Sequence, residues 1–409
     1  MKVLMINKFA FIKGGVERYL FELKNILESK GHEVSLFSMK DKRNFESDYE
    51  DYFVNNIDYN SNGRRKIAKS ISQVSKLFYS FEAKSKIARL IEKVKPDIAH
   101  IHMIDHQISP SVLHVLKKYD IPTIQTMHHY KLVCPNYKFY IPHKNEVCER
   151  CLGGSYYHAI LTKCHKNSFV ASTLVSMETY FHKMMNIYED NIDIFHCPSR
   201  FMASKLKEGG IPEQKIRHLI LTIDTNAYAC NSSFDNYFLY YGRLSDEKGI
   251  LTLLKAMKNI QSSKLVIVGE GPQKDLLLKY AENNLNNVEF YGALHGRELQ
   301  SVIANSMFVV MPSQWYENSP LVIYESFSLG KPVIGARIGG IPEFIDHGEN
   351  GLLFEPGDIN ELEKSILFLL NNTSLIVQFG NSARRKAEKL FGHETHYRNI
   401  TRLYNEILH

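Results

Sequence analysis

The stretch KLVIVGEGPQKDLLLKYAENNLNNVEFYG, Lys264–Gly292, contains an apolar run, a glycine turn, an amphipathic segment and a second apolar run. The runs LVIV and VEFY are short and bounded by turn residues, which is typical of strands. The segment between them has apolar residues at helical spacing. A strand, a helix and a second strand in this order predict two parallel neighbours in one sheet.

The same alternation extends in both directions along the chain. It covers YFLYYG at Tyr237 through KPVIGA at Lys331, and a first set runs from KVLMIN at Lys2 to IPTIQTM at Ile121. The 409 residues also exceed the size of one ordinary core. We therefore predict an α/β protein of two doubly wound parallel-sheet domains, 1–220 and 221–390, with an insertion at about 130–170. A C-terminal helix, 391–409, is expected to pack back on the first domain.

Composition and charge limit the class of protein. No apolar run approaches the roughly 18 residues that a membrane span needs, and the N-terminus lacks the pattern of a secretion signal, so a cytoplasmic protein is expected. A net charge of +6 is too dispersed to indicate nucleic acid, but it fits an anionic ligand or the inner face of a membrane.

Two glutamates flank an apolar run in SQWYENSPLVIYESFSLGKPVIG, Ser313–Gly335. Ser319 before Pro320 predicts an N-cap and the start of a helix that runs to Leu329. Glu317 then precedes the helix and Glu325 lies inside it, both near a helix end that attracts phosphate. A carboxylate there would repel phosphate unless it bound hydroxyls of the same ligand, which indicates a nucleoside diphosphate sugar. An ordinary helix with a solvent-facing Glu325 is the alternative.

Other strand ends supply further candidates. Arg243 and Lys248 in YYGRLSDEKG could each hold a phosphate oxygen, although solvated surface charges are the alternative. Gly269 in VGEGP and Gly14 and Gly15 in FIKGG would allow close backbone approach to a ligand. Plain turns are the alternative for these glycines.

Five segments together resemble the retaining family-4 glycosyltransferases, which have the GT-B fold of two facing Rossmann-like domains. The segments are GRLSDEKG, VGEGP, PSQWYENSPLVIYESFSLGKPVI, GGIPEFI and NGLLFEPGD. The resemblance implies that Glu317 contacts the donor sugar and that Arg243 and Lys248 bind the diphosphate. It also implies a donor site that includes Gly14, Gly15, Gly269, Leu294, Asn318, Ser319, Pro320, Leu321 and Glu325. ENSP replaces the EGFG of many members, which bears on the identity of the donor sugar.

Histidines are the candidate residues on the side of the cleft that the first domain contributes. His128 and His129 end a predicted strand in TMHHY, and a neutral imidazole can donate to a sugar hydroxyl. By the resemblance, His128 aligns with the active-site histidine, and His129 replaces an aspartate. His100 and His102 alternate on a strand, and we interpret them as structural histidines near the cleft with satisfied hydrogen bonds.

The chain contains no Asp-x-Asp, the motif with which some glycosyltransferases hold a divalent cation. We therefore expect no cofactor for catalysis, with cationic help from Arg243, Lys248 and helix amides. By the resemblance, transfer retains the anomeric configuration, and Glu317 positions the sugar instead of attacking it.

Four of the six cysteines form a cysteine cluster spaced C-x13-C-x2-C-x12-C, namely Cys134, Cys148, Cys151 and Cys164. In a reducing compartment this spacing predicts structural zinc, with unligated thiols as the alternative. Cys197 and Cys230 are interpreted as small apolar residues. The basic segment Gly63–Lys95 predicts one amphipathic helix, for which an anionic membrane surface and a core contact are both open.

These observations predict a hexosyltransferase that takes a nucleoside diphosphate sugar donor and extends a cell-surface polysaccharide, such as capsule or O-antigen, or a lipid-linked oligosaccharide. A non-hydrolysing nucleotide-sugar epimerase has the same two-domain fold, but the E-x7-E pair argues against it. A non-catalytic sugar-nucleotide-binding protein would bind the donor without transfer. A nicotinamide dehydrogenase is disfavoured because no complete G-x-G-x-x-G occurs.

Overall fold

The computed structural model describes residues 1–56, 76–230 and 233–408. The described residues of the first half form eight strands: β1 (Lys2–Ile6), β2 (Glu33–Phe37), β3 (Ile98–Ile101), β4 (Thr123–Thr126), β5 (Tyr140–Ile141), β6 (Glu146–Val147), β7 (Ile194–Cys197) and β8 (Ile216–His218). Six of them form one parallel sheet in the order β2-β1-β3-β4-β7-β8. The inner strands are buried along almost their whole length, which explains their continuous apolar runs.

Helices connect these strands and cover the sheet. They are α1 (Gly15–Ser29), α2 (Phe81–Val94), α3 (Ser111–Lys118), α4 (His158–Thr162), α5 (Phe169–Met184) and α6 (Arg200–Glu208). The single helix predicted over Gly63–Lys95 is wrong in its C-terminal part, because the helix is broken at Tyr79 and Ser80. The Ser80 side chain accepts from the Ala83 amide and begins α2 as a new helix. The rest of that segment, 57–75, lies outside the described residues.

The insertion after β4 contains both strands and helices. Strands β5 and β6 form an antiparallel hairpin, and helices α4 and α5 follow it. The buried side chains of this region include Ile141, Tyr156 and Ala159, which pack with Cys151 and Cys164. A small satellite core therefore lies beyond the carboxyl end of β4, the edge at which ligands of parallel sheets gather.

The second half forms a second six-stranded parallel sheet, which shares no strand with the first. They are β9 (Tyr237–Tyr241), β10 (Lys264–Val268), β11 (Val288–Gly292), β12 (Val309–Met311), β13 (Val333–Ala336) and β14 (Gly351–Phe354). Their order is β11-β10-β9-β12-β13-β14, and all neighbours are parallel. The prediction of two doubly wound parallel-sheet domains is confirmed.

The helices of the second half are α7 (Ile250–Ala256), α8 (Lys274–Asn284), α9 (Gly296–Asn305), α10 (Leu321–Ser328), α11 (Ile341–Phe344), α12 (Ile359–Asn371), α13 (Thr373–Leu390) and α14 (His393–Leu408). The last of them lies against the first domain, where Tyr404 is hydrogen-bonded to His100 at 2.7 Å. Tyr19 of α1 is likewise hydrogen-bonded to His396 at 3.0 Å. Within the described ranges, no helix has the length and apolarity needed to cross a bilayer.

Candidate active site

Glu317 lies in the loop between β12 and α10, where its carboxylate is held on several sides. Its Oε1 atom accepts hydrogen bonds from Lys248 Nζ at 2.6 Å, Ser313 Oγ at 2.8 Å and Trp315 Nε1 at 2.8 Å. The residue is 6% exposed. Three donors on one buried oxygen fix the side chain and stabilise its negative charge.

Two glycines after β13 pack against the backbone of this loop. A Cβ added at Gly340 would lie 1.9 Å from the Asn318 carbonyl oxygen, and one at Gly339 would lie 2.4 Å from the Glu317 carbonyl oxygen. The Gly340 amide also donates to the Glu317 carbonyl at 2.7 Å. The segment GGIPEF therefore sets the position of the Glu317 loop through close backbone contact.

The predicted helix start is wrong by one residue. Pro320 is the N-cap of α10 and Leu321 is its first helical residue, with no side chain bonded to the cap. Ser319, predicted as the N-cap, instead shares a hydrogen bond of 2.6 Å with the Tyr324 hydroxyl. The amides at the start of α10 are thus left without the serine cap that the sequence predicted.

Glu325 is buried inside α10 and contacts the first domain. Its Oε1 lies 2.5 Å from Arg18 Nη2 of α1, and only 5% of the Glu325 side chain is exposed. At the same junction, a Cβ on Gly15 would lie 3.4 Å from Leu321 Cδ1. The structure therefore brings α1, with Gly15 and Arg18, against Leu321 and Glu325 of α10, which lie more than 300 residues later in the sequence. It also excludes the alternative in which Glu325 faces solvent.

A second contact between the domains lies one residue after Glu317. Asn318 Nδ2 donates to the Met127 carbonyl at 2.8 Å, and Ser199 Oγ donates to Asn318 Oδ1 at 2.7 Å. Because Met127 directly precedes His128, the Glu317 loop and the His128 loop are joined by a single side chain. Both lie at the carboxyl ends of strands, in the cleft between the sheets.

Glu343 of α11 caps a helix of the other domain. Its two carboxylate oxygens accept from the backbone amides of Arg200 and Phe201 at 2.8 and 2.7 Å, at the amino end of α6. A carboxylate at this helix end is stabilised by the free amides and the helix dipole. The contact is a third link between the two domains, beside those of Glu325 and Asn318.

Five histidines collect behind the cleft in what we call the histidine cluster: His100, His102, His128, His196 and His396. The His102 ring stacks on those of His100 and His128, with centroids 4.5 and 5.4 Å apart. Burial lowers the pKa of His128 to about 3, that of His396 to about 3 and that of His196 to about 4. The rings are therefore neutral at physiological pH.

The interpretation of His100 and His102 as satisfied structural histidines holds for only one of them. His100 is hydrogen-bonded on both nitrogens, to Tyr404 and to Thr126, each at 2.7 Å. His102 is hydrogen-bonded to His128 at 3.1 Å. Its Nε2 is buried without a partner among the described residues, so His102 links His128 to the cluster without being fully satisfied.

His129 meets a carboxylate from a neighbouring strand end. Its Nε2 lies 2.7 Å from Oδ2 of Asp105, which follows β3. Burial tends to raise the pKa of Asp105, but the charge and hydrogen bond of His129 more than offset this and hold that pKa below its usual range. Asp105 thus places a carboxylate beside His129, although Asp105 belongs to a different segment of the chain.

The remaining predicted donor residues lie around the same strand ends. Arg243 is exposed just past β9. Gly269 has a φ of +148°, and a Cβ there would lie 1.9 Å from the Gly242 carbonyl oxygen, so it packs directly beside Arg243. Gly14 is the extended N-cap of α1, and Leu294 packs half-buried on the core after β11.

The cysteine cluster consists of free thiols in and around the satellite core. Cys134, Cys151 and Cys164 are buried, whereas Cys148 is half-buried. Burial raises the pKa of the Cys134 thiol to about 12. In the parts of the chain that the structure describes, no three His, Cys, Asp or Glu side chains form a metal-ligand group, and zinc stays a prediction. The interpretation of Cys197 and Cys230 as small apolar residues implies that both are buried. Cys197 is buried, but Cys230 is exposed, so the interpretation is wrong for Cys230.

Three residues at the site were missed from the sequence. Arg18 and Asp105 are the ionic partners of Glu325 and His129, and each lies on an element distant in sequence from its partner. Trp315 is the only tryptophan of the chain, and its ring lies 5.2 Å from Lys248 Nζ. Trp315 could have been identified from the sequence, because it lies two residues before Glu317.

Comparison with family models places both halves in one group of enzymes. The chain matches the model Glycosyltransferase Family 4 over residues 13–227, more than half of its length. It matches the model Glycosyl transferases group 1 over residues 231–386. These ranges correspond to the two sheets and to the segments that carry Glu317, Glu325, Arg243 and Lys248.

Curated relatives agree with this assignment. An uncharacterized glycosyltransferase of Methanocaldococcus jannaschii is 29% identical over 230 residues, which cover 56% of this chain and 63% of that protein. A GDP-mannose-dependent alpha-mannosyltransferase of Corynebacterium glutamicum is 36% identical over 40% of this chain and 41% of that protein. The chain thus spans less than two thirds of these two relatives. An uncharacterized 42.6 kDa protein in the cps region of Klebsiella pneumoniae is 24% identical over 84% of this chain and 87% of that protein.

Solved structures share the fold over the whole chain. Sucrose-phosphate synthase from Thermosynechococcus elongatus has a TM-score of 0.72 at 19% identity, covering 99% of this chain and 98% of that one. Anabaena HepE in complex with UDP-glucose has a TM-score of 0.66 at 16% identity, covering 99% and 100%. The chain therefore belongs to glycosyltransferase family 4 and has the GT-B fold.

Proposed function

We propose that this protein transfers a hexose from a nucleoside diphosphate sugar to a growing cell-surface polysaccharide or lipid-linked oligosaccharide, with retention of anomeric configuration. The observation that carries the proposal is the fixed Glu317–Lys248 pair beside the amino end of α10. Support for the donor class also comes from HepE, solved with UDP-glucose, and from the GDP-mannose-dependent relative. The relative encoded in a cps region favours a surface polysaccharide.

The pyrophosphate of the donor would rest on the amino end of α10. Lys248 has three N–H donors, and Glu317 takes one of them. The others can donate to phosphate oxygens, together with the exposed guanidinium of Arg243. Each charge-assisted hydrogen bond of this kind contributes about 1.5–3 kcal/mol. Glu325, buried next to Arg18, would accept hydrogen bonds from the ribose hydroxyls.

The first domain would supply the wall against which the sugar lies. His128 is neutral because its pKa lies near 3, and a neutral imidazole can donate to a sugar hydroxyl without adding positive charge near the developing cation of the sugar ring. The Asn318–Met127 hydrogen bond holds this wall against the Glu317 loop. Closure of the two walls would exclude water from the departing phosphate.

Glu317 is better suited to position the sugar than to attack it. Its Oε1 already accepts three hydrogen bonds, and an oxygen so stabilised is a poor nucleophile. Retention would then follow from attack by the acceptor on the face that the phosphate leaves, with a phosphate oxygen taking the acceptor proton. Proton NMR of the first product tests this, and an inverted anomeric proton would contradict it.

The donor can be identified with the single tryptophan as a reporter. We expect UDP-, GDP- or ADP-sugars to change Trp315 fluorescence, because the indole contacts both Glu317 and Lys248. The best binder is then used for radiolabel transfer with and without EDTA. Transfer that persists in EDTA is expected, since Arg243 and Lys248 supply the cations. Free epimerised donor formed without an acceptor would overturn the proposal in favour of an epimerase, and binding without transfer or hydrolysis would indicate a sensor.

Substitutions test the site itself. Glu317→Ala and Lys248→Ala are expected to lose roughly 100-fold or more in kcat/KM, because each removes a charge-assisted contact made at the reacting centre. Glu33→Gln is the matched control, since Glu33 is exposed at the amino end of β2. Circular dichroism should show that all three variants remain folded. Transfer by Glu317→Ala at the rate of the control would refute the assignment.

A further inference from the structure

Helix α5 has an exposed apolar face. Eight of the 15 large apolar side chains that are exposed in the described chain lie between residues 157 and 185. On α5 itself they are Phe169, Val170, Met177, Tyr180 and Met184. At 100° per residue these five positions fall within an arc of about 100°, so they form one continuous stripe.

A helix packed on a core usually turns its apolar side chains inward, but the most exposed side chains of α5 are apolar. Its buried side chains include Ser172, Ser176, Glu178 and Thr179, whereas Val170 and Met184 are 76% and 75% exposed. The inward face is fixed by an ion pair of 2.8 Å between Glu178 and Lys131, both of which are buried. This pair holds the apolar stripe outward.

The charges around the stripe are one-sided. Residues 155–185 contain three lysines, Lys163, Lys166 and Lys183, and a single acidic residue, Glu178. Lys183 is paired with Glu189, so Lys163 and Lys166 supply the positive charge beside the stripe. Lys163 and Lys166 are exposed, whereas Glu178 is buried and paired with Lys131. The surface therefore combines protruding apolar side chains with positive charge and lacks an exposed carboxylate in this segment, which fits an anionic lipid surface.

We propose that the stripe of α5, together with Leu161 of α4 and the flanking lysines Lys163 and Lys166, docks the protein on an anionic membrane. Leu161 is 71% exposed and extends the apolar area beside α5. This surface is formed by other residues than the basic segment 63–95 that the sequence indicated, although Phe78 of that segment packs on Phe181 of α5. It goes beyond the transfer reaction, because vesicle binding requires neither donor nor acceptor.

The docking surface is connected to the active-site cleft. Lys131, the buried partner of Glu178, lies three residues after His128. The helix that would contact the lipid is therefore bonded on its inner face to the loop that carries the first-domain wall. Docking through α5 would keep this end of the cleft close to the bilayer, where a lipid-linked acceptor is held.

Vesicle flotation tests the proposal. The full-length protein is expected to float with phosphatidylcholine–phosphatidylglycerol vesicles at low salt, and less with phosphatidylcholine alone. A Met177→Glu and Met184→Glu double variant should reduce the bound fraction roughly tenfold or more, because it places two charges at the lipid boundary. The control is Leu276→Glu with Phe368→Glu, which makes the same change at exposed positions of the second domain.

Further variants separate the charge contribution from the apolar one. Lys163→Glu with Lys166→Glu should weaken binding to the anionic vesicles and leave the residual binding to phosphatidylcholine unchanged. Reversal of Arg64, Arg65 and Lys66, in the segment indicated by the sequence, should have the smaller effect. If that reversal abolishes flotation while the methionine variant floats normally, the assignment to α5 is wrong.

Two other results would overturn the proposal. One is a wild-type protein that does not float with anionic vesicles at low salt. The other is a dimer, seen by light scattering, that the methionine variant converts to a monomer without any change in flotation; the stripe would then be an interface between copies of this chain. Thermal unfolding must show that all three double variants are folded, and a misfolded Met184→Glu can be replaced by Val170→Glu, the most exposed apolar position on α5.

Discussion

Gly340→Ala is expected to impair catalysis by displacing the Glu317 loop. Gly340 has φ −81° and ψ −8°, a conformation that alanine adopts freely, so backbone strain does not contribute. The added Cβ would lie 1.9 Å from the Asn318 carbonyl oxygen, whereas real Cβ atoms essentially never come closer than 3.0 Å. The two segments must therefore separate by about 1.1 Å.

The size of the effect follows from this displacement. Overpacking at a tight contact costs about 1–3 kcal/mol of folding stability, which a two-domain protein can tolerate. A catalytic group displaced by about 1 Å loses on the order of 100-fold in rate. We thus expect kcat/KM to fall by about 100-fold while the protein stays folded.

Steady-state transfer and thermal unfolding measure the two quantities separately, and Trp315 fluorescence reports whether the donor still binds. Gly392→Ala is the control, because a Cβ there has no neighbour closer than 3.6 Å and φ is not positive. If Gly340→Ala transferred sugar as fast as Gly392→Ala, close packing of Gly340 would not be what positions the Glu317 loop.

Three further predictions follow from the site. Asn318→Ala should lower kcat/KM by roughly tenfold, because it removes both the Met127 and Ser199 hydrogen bonds, each contributing about 0.5–1.5 kcal/mol. Asn318→Asp keeps the acceptor for Ser199 but places a carboxylate oxygen against the Met127 carbonyl, so its loss should be at least as large. The histidine cluster should make the protein acid-sensitive. Below a pH of about 6.5 these histidines take up protons in the unfolded chain, whereas in the folded protein the buried rings, with pKa values near 3 and 4, stay neutral. The free energy of unfolding therefore falls, as the pH is lowered from 6.5, by about 1.4 kcal/mol per pH unit for each such histidine. Urea denaturation that gave the same stability at pH 7 and pH 5 would contradict this. Elemental analysis of the purified protein should find one zinc per chain if the cysteine cluster binds metal, and substitution of Cys148 and Cys151 by serine should abolish it, whereas Cys197→Ser should not.

Much of the fold was predictable because parallel sheets buried on both faces have a simple sequence pattern. Short apolar runs in β9, β10 and β12 alternate with amphipathic helices, and this order alone predicts the second domain. Local capping was less predictable. Ser319 has the right residue type and position for an N-cap, but its hydroxyl is hydrogen-bonded to Tyr324 one turn later, and a sequence pattern does not choose between competing partners.

The contacts between domains could not be predicted, since they join residues far apart in the chain. Arg18 and Glu325 are separated by more than 300 residues, and nothing near Arg18 indicates an acidic partner. The outward apolar face of α5 could not be predicted for a different reason. Amphipathic spacing identifies two faces of a helix but does not show which face is buried, and in α5 the polar face is buried through the Glu178–Lys131 pair.

The ion pairs of the site reduce the repulsion expected between its carboxylates and a bound pyrophosphate. Two carboxylates near the amino end of α10 would repel a pyrophosphate, yet each has a cation beside it: Lys248 for Glu317 and Arg18 for Glu325. With Arg243 added, these five side chains have a net charge of +1 before any ligand binds. The attraction of the helix end for phosphate is therefore not cancelled, and the carboxylates keep free lone pairs for the hydroxyls of the sugar and the ribose. Charge pairing within the site is thus what makes acidic sugar-binding groups compatible with a phosphate site.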